Sequence, residues 1–106
     1  MTFLNLDEIE ARELLPGLTM RCVHSEGMTL VYWEIEAGAE MPLHDHPHEQ
    51  VANVLEGELQ LTVQGETRIL KPGQVAVIGS NVPHAGKAIT DCRVLDVFHP
   101  VREDYR

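Results

Sequence analysis

At 106 residues the chain has room for one domain built on a single core. With 43% hydrophobic and 24% charged residues it has the composition of a folded globular protein, not of a disordered one. A formal charge of −9 argues against nucleic acid, which takes a basic footprint; the excess of acid is read chiefly as solubility, and an anionic substrate would need local help from a metal or a placed arginine. No secretory signal is visible in residues 1–18, and no apolar run approaches the roughly 18–20 residues of a membrane span. The expectation is a cytoplasmic protein without nucleic-acid or membrane partners.

Residues 1–18 read as a short lead-in, with weak helical periodicity over Asn5–Leu15 (Leu6, Ile9 and Leu14 are its apolar marks) ended by Pro16-Gly17. From Thr19 the pattern becomes short strands separated by turns, giving one domain over 19–106. Thr29, Val31, Trp33 and Ile35 alternate with Leu30, Tyr32 and Glu34, a strand with one face on a core. Tyr32 and Trp33 are expected in the core or at a dimer interface, with one of them a candidate to line a pocket. Ala37-Gly38-Ala39 then turns the chain. Gln50–Leu55 and Glu58–Val63 form two strands hinged at Glu56-Gly57, Gln64-Gly65 turns into Thr67–Leu70, and Pro72-Gly73 precedes Val75–Ile78. Residues 79–83 form a loop. In the last long strand Cys92, Val94, Asp96 and Phe98 share one face, and Arg93, Leu95 and Val97 the other. Many short strands with little helix predict an all-β, single-domain antiparallel barrel. Cys22 and Cys92 lie far apart in strand-like segments; free buried thiols are favoured, with a cross-strand disulfide left open.

Two small clusters carry the chemistry. The first is His44-Asp45-His46-Pro47-His48-Glu49-Gln50, the second Pro83-His84. Two histidines at i, i+2 on a strand point to one face, Gln50 keeps that parity and offers a carbonyl oxygen, and His84 can arrive from another strand. Any one of the six histidines alone is more often a surface or core residue. The frame around these four, with Gly38 before and Gly57 after, raises a metal site above that baseline. His48 fits the ligand face by parity but follows Pro47, and is read as supporting a ligand or lining the pocket. Glu49 either faces away or supports a ligand imidazole.

Gly38, His44, His46, Gln50 and Gly57 resemble the first motif of the cupin superfamily, G-x5-H-x-H-x3,4-E-x6-G, with glutamine in place of the usual glutamate. Gly65, Pro72-Gly73 and Pro83-His84 match the second motif loosely. The resemblance implies a small jelly-roll barrel holding a metal, commonly as a homodimer. The run from His44 to Gln50, with Val54-Leu55-Glu56-Gly57-Glu58 and the tail from Asp91 to Asp104, is most similar to the KdgF-type cupins, which open the ring of 4,5-unsaturated uronates released by pectin and alginate lyases. The resemblance implies His44, His46, Gln50 and His84 as ligands of one divalent transition metal (Ni, Zn, Mn, Co or Fe), with Asp96, Phe98 and Arg102 as the catalytic set.

Four neutral ligands would leave the ion its full charge, favouring an anionic oxygen ligand and Lewis-acid chemistry. Asp96 would be the general acid/base, Arg102 a bidentate clamp on a carboxylate, and Phe98 a surface for the sugar ring. Each has a plainer alternative: Asp96 as an acceptor for strand-end amides, Phe98 as core, Arg102 paired with Glu103 or Asp104. At the level of the whole chain, ring opening of a small anionic uronate stands against a cupin dioxygenase and against a non-catalytic metal-containing binding module.

Overall fold

A computed structural model describes residues 2–106. Ten strands make two antiparallel sheets: β1 (Arg12–Leu15), β2 (Leu18–His24), β3 (Thr29–Ile35), β10 (Cys92–His99), β5 (Glu49–Glu56) and β8 (Val75–Ile78) form the larger one in the order β1-β2-β3-β10-β5-β8, while β4 (Glu40–His44), β9 (His84–Ala88), β6 (Leu59–Val63) and β7 (Glu66–Leu70) form the smaller, ordered β4-β9-β6-β7. Among the described residues helix is confined to two 3-10 turns, Leu6–Glu8 and Glu103–Tyr105. This is the expected all-β jelly roll, built as two facing sheets.

Period-two alternation places the core between them. Thr29, Val31 and Trp33 of β3, Ala52 and Val54 of β5, Val94 and Phe98 of β10, and Leu59 and Leu61 of β6 are buried, while their strand neighbours are more exposed. Burying each large side chain stabilises the fold by roughly 1.5–3 kcal/mol. Register then fixes which inward side chains meet. Asp96 lies opposite Ala52 on β5 and Val31 on β3, and Phe98 lies opposite Gln50 and Thr29.

Several expectations change. Helical periodicity over Asn5–Leu15 does not become a helix: one 3-10 turn forms at Leu6–Glu8, and Arg12–Leu15 pairs with β2 as the sheet's outermost strand. The apolar marks there were few, and an unpaired β2 edge outweighs so weak a local preference. His44 and His46 do not share a strand, because β4 ends at His44 and His46 sits in the loop before β5. β9, which carries His84, continues where alternation was too short to read a strand. Cys22 and Cys92 are free thiols.

Gly57 of the first motif has a requirement of its own. At φ +84° it occupies the left-handed region, and a Cβ there would collide with the Asp91 carbonyl oxygen. The hinge between β5 and β6 therefore packs backbone against backbone and takes only glycine.

Candidate functional site

His44, at the end of β4, is the direct cross-strand partner of His84, at the start of β9, which brings their ring centroids to 4.3 Å. His46 swings in from the following loop, 4.9 Å from His84 and 5.6 Å from His44, centroid to centroid. One nitrogen of each ring falls within 4.8 Å of the others. Gln50, at the start of β5, faces the same space, its Oε1 3.1 Å from His46 Nε2.

Local backbone sets the chemistry of these rings. Nδ1 of His44 lies 2.8 Å from the Pro42 carbonyl, Nδ1 of His84 2.8 Å from the Val82 carbonyl, and Nδ1 of His46 3.0 Å from the His48 carbonyl. A carbonyl only accepts, so each Nδ1 carries the proton and donates it, which leaves each Nε2 with a free lone pair. Burial, with the Arg102 charge and His84 beside it, lowers the pKa of His46; burial likewise lowers that of His84, with the His44 and Arg102 charges acting in the same direction. Both rings are therefore held neutral. His84 Nε2 is buried with no hydrogen-bond partner. Lone pairs of His46 and Gln50 also face each other without a proton between them. An orphaned buried nitrogen and a converging set of neutral donors are what a cation needs, so these residues fit a divalent metal.

Asp96 projects from the middle of β10 into the same cavity, 8% exposed. Oδ2 accepts the Trp33 indole N–H at 2.9 Å, whereas Oδ1 is buried without a partner. Burial pushes the carboxyl up to about 6, against the Gln50 amide, the Trp33 N–H and the Arg102 charge, which favour the ionised form. A carboxyl poised there can give and take a proton near neutrality.

The chain after β10 folds back as one wall of the cavity. Arg102, 7% exposed, lies over the Phe98 ring (4.7 Å to the centroid) and the Tyr105 ring (4.1 Å), and donates from Nε and Nη2 to both carboxylate oxygens of Asp104 at 3.0 and 2.7 Å. Its backbone N–H is held by the Thr29 hydroxyl, and Arg12 of β1 donates to the Tyr105 carbonyl. The Asp104 pairing weighed from the sequence thus exists, with Arg102 inside the cavity instead of on the surface. Phe98 is both core and cavity wall, its ring edge-on to His46.

The seven residues singled out in the sequence therefore gather around one space. Sequence reading missed Trp33 as a partner of Asp96 and missed Tyr105 altogether. Trp33 shares the parity of Val31, which marks its face but not its cross-strand neighbour. Tyr105 sits in a turn with no periodicity to read. His48 lies beside His46 and Phe98, with a buried, unpartnered Nδ1, while Glu49 and His99 face outward.

A model of the cupin domain matches residues 31–98. The chain belongs to the cupin family. It is 31% identical over 102 residues, covering 93% of each chain, to the pectin degradation protein KdgF of Dickeya dadantii (strain 3937). Among solved structures, KdgF from Halomonas sp. superposes on this cupin with a TM-score of 0.94 at 28% identity, covering 100% of this chain and 99% of that one. An RmlC-like cupin from Shewanella frigidimarina NCIMB 400 does so equally, with a TM-score of 0.94 at 28% identity over 100% of this chain and 96% of that one. Among the described residues no helix is long and apolar enough to cross a membrane.

Proposed function

We propose that this cupin opens the ring of 4,5-unsaturated uronates from pectin or alginate breakdown, using one divalent metal held by His44, His46, Gln50 and His84. The observation that carries the reading is Asp96: a buried carboxyl raised to about 6, with one oxygen unpartnered, in the cavity that the three histidines enter. Similarity to the pectin degradation protein KdgF supports the substrate class.

Such a substrate is a cyclic enol ether bearing a hemiacetal. Opening removes the hemiacetal hydroxyl proton and breaks the bond from C1 to the ring oxygen, leaving C1 as an aldehyde. The released electron pair passes through the ring oxygen, C5 becomes a ketone and C4 takes a proton. One proton leaves and one arrives, so the reaction is an isomerisation that a single carboxyl can serve. Asp96 accepts the first as carboxylate and delivers the second as acid. Arg102 binds the substrate carboxylate through the N–H groups that Asp104 leaves free, and its stack on Phe98 and Tyr105 fixes the guanidinium plane. The Phe98 ring packs against the sugar. A bound divalent ion supplies positive charge to orient the acid and stabilise developing oxyanions. Its identity among Ni, Zn, Mn, Co and Fe is part of the proposal, as are the cytoplasmic site of action and the homodimer.

The test is a time course of enol-ether absorbance with lyase-generated unsaturated galacturonate and mannuronate, with and without chelator. Chelator-sensitive loss of absorbance is expected. No acceleration by metal-loaded protein discards the uronate reading and turns attention to oxygen uptake with small organic acids.

A further inference from the structure

Trp33 is the single tryptophan of the chain, and it lies 5% exposed in the wall of the cavity. β3 and β10 pair so that Val94 faces Trp33 and Asp96 faces Val31, which places the indole and the carboxyl on one face of the sheet, one diagonal step apart. Diagonal neighbours are within reach of a long aromatic side chain. The indole N–H reaches Oδ2 of Asp96 at 2.9 Å, while Oδ1 has no partner.

We infer that Trp33 is a positioning residue for the proton-exchanging acid: by occupying Oδ2 it makes Oδ1 the oxygen through which Asp96 takes and returns the proton. The inference rests on the ring-opening reading and adds to it the reacting atom and the residue that selects it. The chemistry of the indole suits the role. Its nitrogen can only donate, so it cannot accept the proton in transit or compete for it, as a hydroxyl or imidazole at the same place would. It binds the oxygen more strongly when that oxygen carries negative charge, so the proton of the neutral carboxyl is favoured on Oδ1. The surroundings are consistent with the arrangement: Ala52, opposite Asp96 on β5, is too small to reach the carboxyl, and the Gln50 side chain, whose Oε1 faces His46, leaves its amide N–H groups on the carboxyl side without closing a hydrogen bond to Oδ1. Loss of the indole would leave Oδ2 without its donor and the carboxyl oriented only by the Gln50 amide and the more distant Arg102 charge.

Because the chain has one tryptophan, its indole N–H gives one resolved signal in a nitrogen–proton correlation spectrum. That signal is recorded in zinc-loaded wild type and in Asp96→Ala. In parallel, kcat, KM and bound metal are measured for Trp33→Phe, with Val54→Ala as a core truncation that removes no hydrogen bond. The expected result is an indole signal displaced in Asp96→Ala, together with a fall of roughly 10- to 100-fold in kcat for Trp33→Phe. KM and metal content stay within about twofold of wild type, and Val54→Ala keeps near-native kcat. An indole signal unmoved by loss of Asp96 overturns the inference whatever the activities are. A displaced signal with unchanged kcat in Trp33→Phe also overturns it, by making the bond structural only. If the signal moves but wild type itself lacks turnover, the ring-opening reading fails and the role assigned to Oδ1 falls with it, while the bond stands.

Discussion

The two halves of the cavity are held in different ways. On the smaller sheet and its loop, each histidine is fixed by a carbonyl two residues away: Pro42 for His44, Val82 for His84, and His48 for His46. On the larger sheet, Asp96 is fixed by Trp33, 63 residues away, through the register of β3 and β10. In the ligand half strand pairing brings His44 to His84 but short-range backbone geometry aims each ring, whereas in the acid half strand pairing both places the carboxyl and supplies its hydrogen-bond partner. Damage to single residues should separate them: ligand substitutions strip the metal and leave the sheet, whereas substitutions on β3 and β10 leave the metal and alter proton transfer.

The largest effect is expected from His84→Ala and His44→Ala. Each removes a neutral nitrogen from a convergent set, and metal affinity should fall on the order of a hundredfold or more, with turnover lost alongside. Metal content after dialysis checks this. Unchanged metal in both variants would mean that the ion sits elsewhere.

Asp96→Asn is the converse experiment. Bound metal should stay at the wild-type level while turnover drops on the order of 10²–10⁴-fold, since the amide cannot exchange the proton. An active variant removes Asp96 from the reaction. The same substitution carries a stability signature in metal-free protein. The folded carboxyl titrates near 6, above its value in the unfolded chain, so between the two values the unfolded state holds fewer protons and stability falls as pH rises. Above both values the loss is about 3 kcal/mol, and asparagine does not suffer it. Thermal midpoints of metal-free Asp96→Asn should therefore gain on those of wild type from about pH 4 to about pH 7. A constant difference across that range would place the carboxyl in a more hydrated setting.

The contrast between the halves also explains what could be read from the sequence. Gly38, His44, His46, Gln50 and Gly57 lie within one short stretch whose spacing is itself the signal, so the ligand cluster was legible before any strand was paired. The parity of Cys92, Val94, Asp96 and Phe98 likewise showed which way Asp96 points. Parity does not say which strand lies alongside, so the sequence leaves Trp33 as core, interface or pocket wall and does not pair it with Asp96. Arg12–Leu15 illustrates the same limit: four exposed residues carry no alternation, and their strand exists because β2 offers an edge. His46 departs in the other direction, reaching the site from a loop where a strand was expected, because Pro47 cannot donate to a ladder.

Arg102 tests the wall between the halves. Arg102→Lys keeps the charge but loses the planar fork and the stack on Phe98 and Tyr105, so KM for a uronate should rise about tenfold with a smaller change in kcat. If kcat falls instead with KM unchanged, Arg102 acts on the transition state and not as a clamp on the bound acid.

The smallest effect is expected at Arg12, which touches neither half directly. Its side chain leaves the outermost strand of the larger sheet to donate to the Tyr105 carbonyl, joining the start of the fold to its last turn. The bond costs little to lose because Arg12 is largely exposed and water can replace it, so Arg12→Ala should lower stability by only about 1 kcal/mol. Its reach is longer than that figure implies. Tyr105 supports the Arg102 guanidinium from one side, and a loosened turn lets that plane tilt. The variant should then show a KM raised a few-fold, with native kcat and metal content. A KM equal to wild type would mean that Asp104, Phe98 and the Thr29 hydroxyl hold Arg102 without help, and that the last turn is an ornament of the wall and not part of its support.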